Sequence, residues 1–136
     1  MASKNKALKK VALDLYSCRK CGQCGNKVTD KIPYVCPIKE TTSGFDHFYS
    51  RGKIVIAKGL LDGKLKPSQE LAVAVYSCTL CGNCMDKCKA VSQITGEQLV
   101  DSVRIVEALR EDFLREHPEW VSPAYRDLLN ITKQYD

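Results

Sequence analysis

Tyr16-Ser17-Cys18-Arg19-Lys20-Cys21-Gly22-Gln23-Cys24 returns sixty residues later as Tyr76-Ser77-Cys78-Thr79-Leu80-Cys81-Gly82-Asn83-Cys84. Each copy is a Cys-x2-Cys-x2-Cys triplet with a glycine directly after its second Cys, and each is followed by one further Cys. In the second copy this is Cys88, after a gap of three residues; in the first it is Cys36, after a gap of eleven, with Pro37 behind it. The repeat divides the eight cysteines into two sets of four with none left over. Thiols at this spacing gather on one short turn of chain and point toward one centre.

An even number of cysteines in a short chain also fits a disulfide framework, but that needs an export route. The N-terminal Met1-Ala2-Ser3-Lys4-Asn5 is charged and no apolar segment follows it, so no secretory signal is read there. The longest apolar runs, such as Ile54–Ala57 and Leu71–Tyr76, fall far short of the roughly 18 residues that span a bilayer. A cytoplasmic protein without a transmembrane segment is expected. The formal charge of +5 counts every Cys as neutral. Two four-thiolate iron–sulfur cubanes at about −2 each would bring the whole to roughly +1, so the basic balance is weak support for a nucleic-acid partner.

Outward from the cysteines the chain reads as all-α, one domain over residues 1–136. Its repeat halves fall at about 7–62 and 67–116, with a helical extension at about 118–136. Ala7–Tyr16 puts Leu8, Val11, Ala12 and Leu15 on one helical face, with Lys4, Lys6, Lys9 and Lys10 around its start. Arg51–Leu61 offers Ile54, Val55, Ala57 and Leu61 to a core, and Asp62-Gly63 closes that helix. Ser68 caps the next helix, with Glu70 in its first turn. Leu71–Tyr76 is rich enough in Val for a strand but has no partner strand, so it is assigned to this helix. Thr95-Gly96-Glu97-Gln98 matches a capping box, and Leu99, Val100, Val103, Val106, Leu109, Phe113 and Leu114 then follow helical spacing up to His117-Pro118. A last helix from about Ser122 to Tyr135 would show Tyr125, Leu128, Leu129 and Ile131.

The chemistry sits in the thiols. Three cysteines spaced by two residues bind three corners of a [4Fe–4S] cubane, and the fourth of such a run crosses to the other cluster in two-cluster ferredoxins. Cys18, Cys21, Cys24 and Cys88 are thus expected to hold one cluster, and Cys78, Cys81, Cys84 and Cys36 the other. Gly22, Gly25 and Gly82 would let backbone N–H groups approach the sulfurs. Structural zinc also uses Cys-x2-Cys pairs, but a triplet crowds three thiols onto one segment, which suits a cubane better. His47 and His117 read as ordinary residues, since eight thiolates complete two sites. There is no phosphate-binding glycine loop, no flavin or nicotinamide fingerprint and no Ser-His-Asp constellation.

With Arg51-Gly52-Lys53-Ile54, Leu60-Leu61-Asp62-Gly63 and Tyr76-Ser77-Cys78-Thr79-Leu80-Cys81-Gly82, the chain resembles the helical two-cluster ferredoxin domain of heterodisulfide-reductase C/D-type proteins over roughly residues 5 to 130. Related domains occur in the succinate dehydrogenase iron–sulfur subunit and in anaerobic glycerol-3-phosphate and lactate oxidation proteins. The resemblance implies an electron-transfer subunit of an oxidoreductase of anaerobic metabolism, between a flavoprotein donor subunit and a reductase or dehydrogenase subunit, with the same crossed ligand sets. The chain departs from that family's pattern in its long Cys24–Cys36 loop, in Lys89 where Pro usually follows Cys88, and in lacking the Cys-Cys-Gly motifs of the disulfide-reducing site. Any such site would lie on another chain. The reading from a different class is an iron–sulfur sensor that binds nucleic acid, for which only the N-terminal lysines speak.

Overall fold

A computed structural model describes residues 4–127. Its helices are α1 (Lys6–Lys10), α2 (Ala12–Ser17), α3 (Pro37–Thr41), α4 (Ser50–Leu61), α5 (Gln69–Tyr76), α6 (Asn83–Lys87) and α7 (Ser102–Glu116), joined by three short 3-10 turns. Residues 123–127 are helical again. Of the stripe expected on this last helix, only Tyr125 lies within the described residues; its ring meets Tyr76 edge-on at 5.1 Å. Among the described residues the fold is all-α apart from one two-stranded hairpin, β1 (Lys27–Thr29) and β2 (Ile32–Tyr34), in the register Lys27↔Tyr34 and Thr29↔Ile32. The hairpin occupies the long loop between Cys24 and Cys36, read from sequence as irregular.

Five helices share one core, built from Ala7 and Leu8 of α1, Leu15 of α2, Ile54, Ala57 and Leu60 of α4, Ala72 and Val75 of α5, and Ile105, Leu109 and Phe113 of α7. The single N-terminal helix expected from periodicity is broken at Val11, whose φ of −110° and ψ of 15° leave the helical region. The break lets α1 lie on α7 while α2 lies on α4. Asn5, ahead of α1, offers no side-chain cap. Instead Asp112 of α7 accepts from the backbone N–H groups of Ala7 and Leu8, both at 2.9 Å, and Glu116 accepts from that of Asn5 at 2.7 Å. The first-turn donors of one helix are thus satisfied by carboxylates of another.

Helix α4 ends in a Schellman arrangement: Gly63 takes φ 72°, its N–H reaches Leu60 O at 3.3 Å and the N–H of Lys64 reaches Gly59 O at 2.8 Å. Val55, offered to the core by the sequence, is 43% exposed, and Ile56 is buried in its place. Ser68 caps α5 by accepting from Leu71 N–H at 3.3 Å, as expected. The capping box at Thr95 does not form. Gly96 adopts φ 73° within a turn closed by Ser92 N–H to Glu97 O at 2.8 Å, and a residue in that conformation does not belong to the first turn of a helix. The cap of α7 is Asp101, which accepts from Arg104 N–H at 2.9 Å; Leu99 stands 41% exposed before it, and Gln98 donates to the carbonyl of Met85. The far end of α7 is His117, directly before Pro118, as the sequence indicates.

Candidate metal centres

Both cysteine loops leave the end of a helix in the same way. Ser17 and Ser77 turn their hydroxyls back onto the carbonyls of Leu13 (2.8 Å) and Ala74 (2.6 Å), and the chain then turns out through Cys18 and Cys78. Between the first and second thiol of each triplet a non-glycine residue is left-handed: Lys20 has φ 56° and Leu80 has φ 57°. After the second thiol comes a left-handed glycine, Gly22 at φ 79° and Gly82 at φ 77°. Left-handed backbone is costly for Lys and Leu, and its recurrence at matching positions marks it as a requirement of the loop. The sequence repeat is therefore also a repeat of backbone conformation.

The turn brings backbone amides to cysteine sulfur. The N–H of Lys20 lies 3.5 Å from Cys18 Sγ, that of Leu80 lies 3.4 Å from Cys78 Sγ, and that of Ala90 lies 3.5 Å from Cys88 Sγ. Gly22 and Gly82 supply the positive φ. Gly25 makes room for Tyr49, whose ring carbons would stand 2.4 Å from any Cβ placed there. The Gly25 carbonyl accepts from Lys39 Nζ at 2.7 Å, which ties the first cysteine loop to the helix after Cys36.

Two cavities of similar size result. One is lined by Cys18, Cys21, Cys24 and Cys88 and the other by Cys36, Cys78, Cys81 and Cys84, each enclosing about 30 Å³. Cys84 also reaches the wall of the first. All eight cysteines are free thiols, with Cys21 and Cys81 the exposed member of each set. The thiols stand around the cavities instead of meeting at a point: among the described residues no three His, Cys, Asp or Glu side chains surround the position of a single ion. Four soft donors around one cavity, three of them on a single short segment, suit a cubane better than a mononuclear zinc. The histidines lie elsewhere, His47 packed on Phe48 at 4.2 Å and His117 stacked on Trp120 at 4.0 Å.

The partition between the cavities is thin. Ser50 and Ser102 line both, and their hydroxyls are hydrogen-bonded at 2.7 Å. Burial raises the Cys84 thiol, while the hydroxyls of Ser102 and Ser50 pull it back down. Burial pushes Cys24 up to about 11, partly offset by the Arg51 backbone N–H. Such thiols keep their protons until a metal displaces them.

Helix α4 sends a cation toward each cavity, a feature absent from the site expected on sequence. Arg51 borders the first and is paired with Asp46 at 2.7 Å. Lys53 borders the second, and it is only 2% exposed. Its burial pushes the ammonium below its ordinary range, against the upward pull of Cys78, Cys36 and Cys84. The one signal for it in the sequence is its place in Arg51-Gly52-Lys53-Ile54, where Ile54 is a core residue.

Among the described residues no helix is long and apolar enough to cross a membrane. Residues 14–91, more than half of the 136-residue chain and including all eight cysteines, match the family model of the 4Fe-4S dicluster domain. Neither a curated protein nor a solved structure matches the chain. A dicluster domain carries two [4Fe–4S] clusters, cofactors of iron–sulfur electron transfer, and the chain belongs to the 4Fe-4S dicluster domain family.

Proposed function

We propose that the chain is the electron-relay subunit of a cytoplasmic, heterodisulfide-reductase-like oxidoreductase complex. In it Cys18, Cys21, Cys24 and Cys88 hold one cluster and Cys78, Cys81, Cys84 and Cys36 the other. The observation that carries this reading is the pairing of each triplet with the lone cysteine of the opposite half around its own cavity. Each cluster supplies storage of one electron at a time. The chain's own groups do the rest. Lys20, Leu80 and Ala90 direct N–H groups at cysteine sulfur, which favours the more negative, reduced state. Cys84, Ser50 and Ser102 keep the two sites within one shared wall. Cys21 and Cys81 leave each site an edge open to a docked protein. The phrases shared with heterodisulfide-reductase C/D-type proteins support a flavoprotein donor on one side and a reductase or dehydrogenase subunit on the other. Cytoplasmic placement suits eight thiols that must stay reduced.

Anaerobically purified chain should contain about eight iron and eight acid-labile sulfide, as two cubanes with four cysteine ligands each require. Cys88→Ser and Cys36→Ser should each disturb a different electron paramagnetic resonance signal. If both disturb the same signal, the crossed assignment is wrong. The isolated chain should accept electrons without turning over a disulfide or another organic substrate; steady-state turnover by the chain alone would overturn the relay reading.

A further inference from the structure

Among the charged side chains of the described residues, Lys53 is the one with a whole ammonium group enclosed in the core. It is 2% exposed, and its Nζ donates one hydrogen bond, to the carbonyl of His47 at 3.3 Å. An ammonium has three donors, and among the described residues Lys53 pairs with no carboxylate. A buried cation so poorly compensated is expensive unless an anion stands beside it. The anion available is the thiolate set of the cavity it lines, with Cys36, Cys78 and Cys84. Arg110 donates to the carbonyls of Val75, Tyr76 and Cys78, the last of which lines the same cavity, and among the described residues its Nε has no partner and it pairs with no carboxylate.

The other cavity is provided for differently. Its bordering cation, Arg51, is already neutralised by Asp46 and is partly open to solvent. Arg19 and Lys20 are exposed, so water and salt screen them. Reduction adds one negative charge to whichever cluster receives the electron. An unscreened, unpaired cation beside one site lowers the energy of that reduced state more than a paired, solvated cation lowers it at the other.

We propose that Lys53 is a positioning charge for electron transfer: it gives the cluster held by Cys36, Cys78, Cys81 and Cys84 the higher reduction potential, so that an electron arriving at the other cluster settles beside Lys53. This rests on the ligand assignment proposed above. The partition of Cys84, Ser50 and Ser102 is then the step the electron crosses, downhill from the Cys18 side to the Cys78 side.

The test is an anaerobic redox titration of the full-length, cluster-loaded chain, followed by electron paramagnetic resonance. Wild type should show two one-electron transitions. Lys53→Met should keep both clusters and lower one transition by at least tenfold in its reduction equilibrium constant, which is about 59 mV for one electron. The other transition should move less than about threefold. Lys53→Gln provides a second neutral variant if Met disturbs loading, and Lys53→Arg should hold the wild-type value. The transition that moves must be the one whose signal Cys36→Ser perturbs, and its shift should survive salt at about 0.5 M, which a surface charge effect would not. Two loaded clusters with neither transition moved, or movement of the transition sensitive to Cys88→Ser, would overturn the role of Lys53 and leave the cluster assignment standing. A wild-type chain without two cubane transitions would overturn the assignment itself.

Discussion

Asp112→Ala tests how α1 is held against α7. The carboxylate is 4% exposed and accepts two backbone N–H groups, from Ala7 and Leu8, each at 2.9 Å. Hydrogen bonds to a charged acceptor contribute about 1.5–3 kcal/mol each. Alanine removes both and leaves two buried donors with neither protein nor water to receive them. The sum is about 3–6 kcal/mol, a large part of the roughly 5–15 kcal/mol by which a domain is stable. Arg115 would keep Glu111 at 3.5 Å and Glu116 at 3.9 Å, so little of the loss comes from a stranded guanidinium. Asp112→Asn retains one acceptor oxygen and should lose about half as much. With a urea slope of about 2 kcal/mol/M, Ala should lower the unfolding midpoint by about 2 M and Asn by about 1 M. Hydrogen exchange should show the Ala7 and Leu8 amides losing protection before those of α4. A midpoint change under about 0.5 M for Ala, or equal damage from Asn and Ala, would refute the cap.

Gly52→Ala should cost at least about 3 kcal/mol and drive out iron, because the new methyl would stand 1.9 Å from the Asp46 carbonyl and must push α4, with Arg51 and Lys53 on it, away from the preceding turn; a loaded variant with a wild-type urea midpoint would count against this packing. In the iron-free, reduced chain, the Cys24 thiol has a folded pKa raised from 9.0 to about 11, so the folded state binds more protons than the unfolded state between those values. Its contribution to stability is present in full below about 9 and lost as pH rises through about 11; Cys24→Ser should flatten this part of the pH profile of urea midpoints.

The helical fold and the cysteine repeat are legible in the sequence because their determinants are local. Ser68 resolves the Val-rich Leu71–Tyr76 segment in favour of helix by capping it, and Pro118 stops α7 one residue after its last turn. Features fixed at long range are not legible. Nothing near Val11 announces a break, since the carboxylate that caps α1 is 105 residues from Ala7. Thr95 and Gln98 have the letters of a capping box, but Gly96 between them takes a left-handed turn and the cap passes to Asp101. The hairpin at Lys27–Tyr34 is too short for strand periodicity to show, and it sits between the first triplet and Cys36, where irregular backbone is the natural expectation. Lys53 escapes a sequence reading for a related reason. A lysine in a helix is ordinarily solvated, and only the packing of the second cavity shows this one enclosed.

The same hairpin gives the molecule a direction. It belongs to the first half alone, yet with Tyr34 and Val35 it borders a groove beside Cys81, Gly82 and Asn83 of the second half, and Asn83 Nδ2 donates to the Val35 carbonyl at 3.3 Å. In the other cavity, Cys21 shares the wall with Arg19, Lys20 and Arg51. Two copies of one loop would otherwise present two near-identical faces, and a docking protein would have no means of choosing between them. The insert breaks that degeneracy. One site offers a basic rim and the other a β-ribbon beside the thiol, so the two differ in shape and charge where they reach the surface.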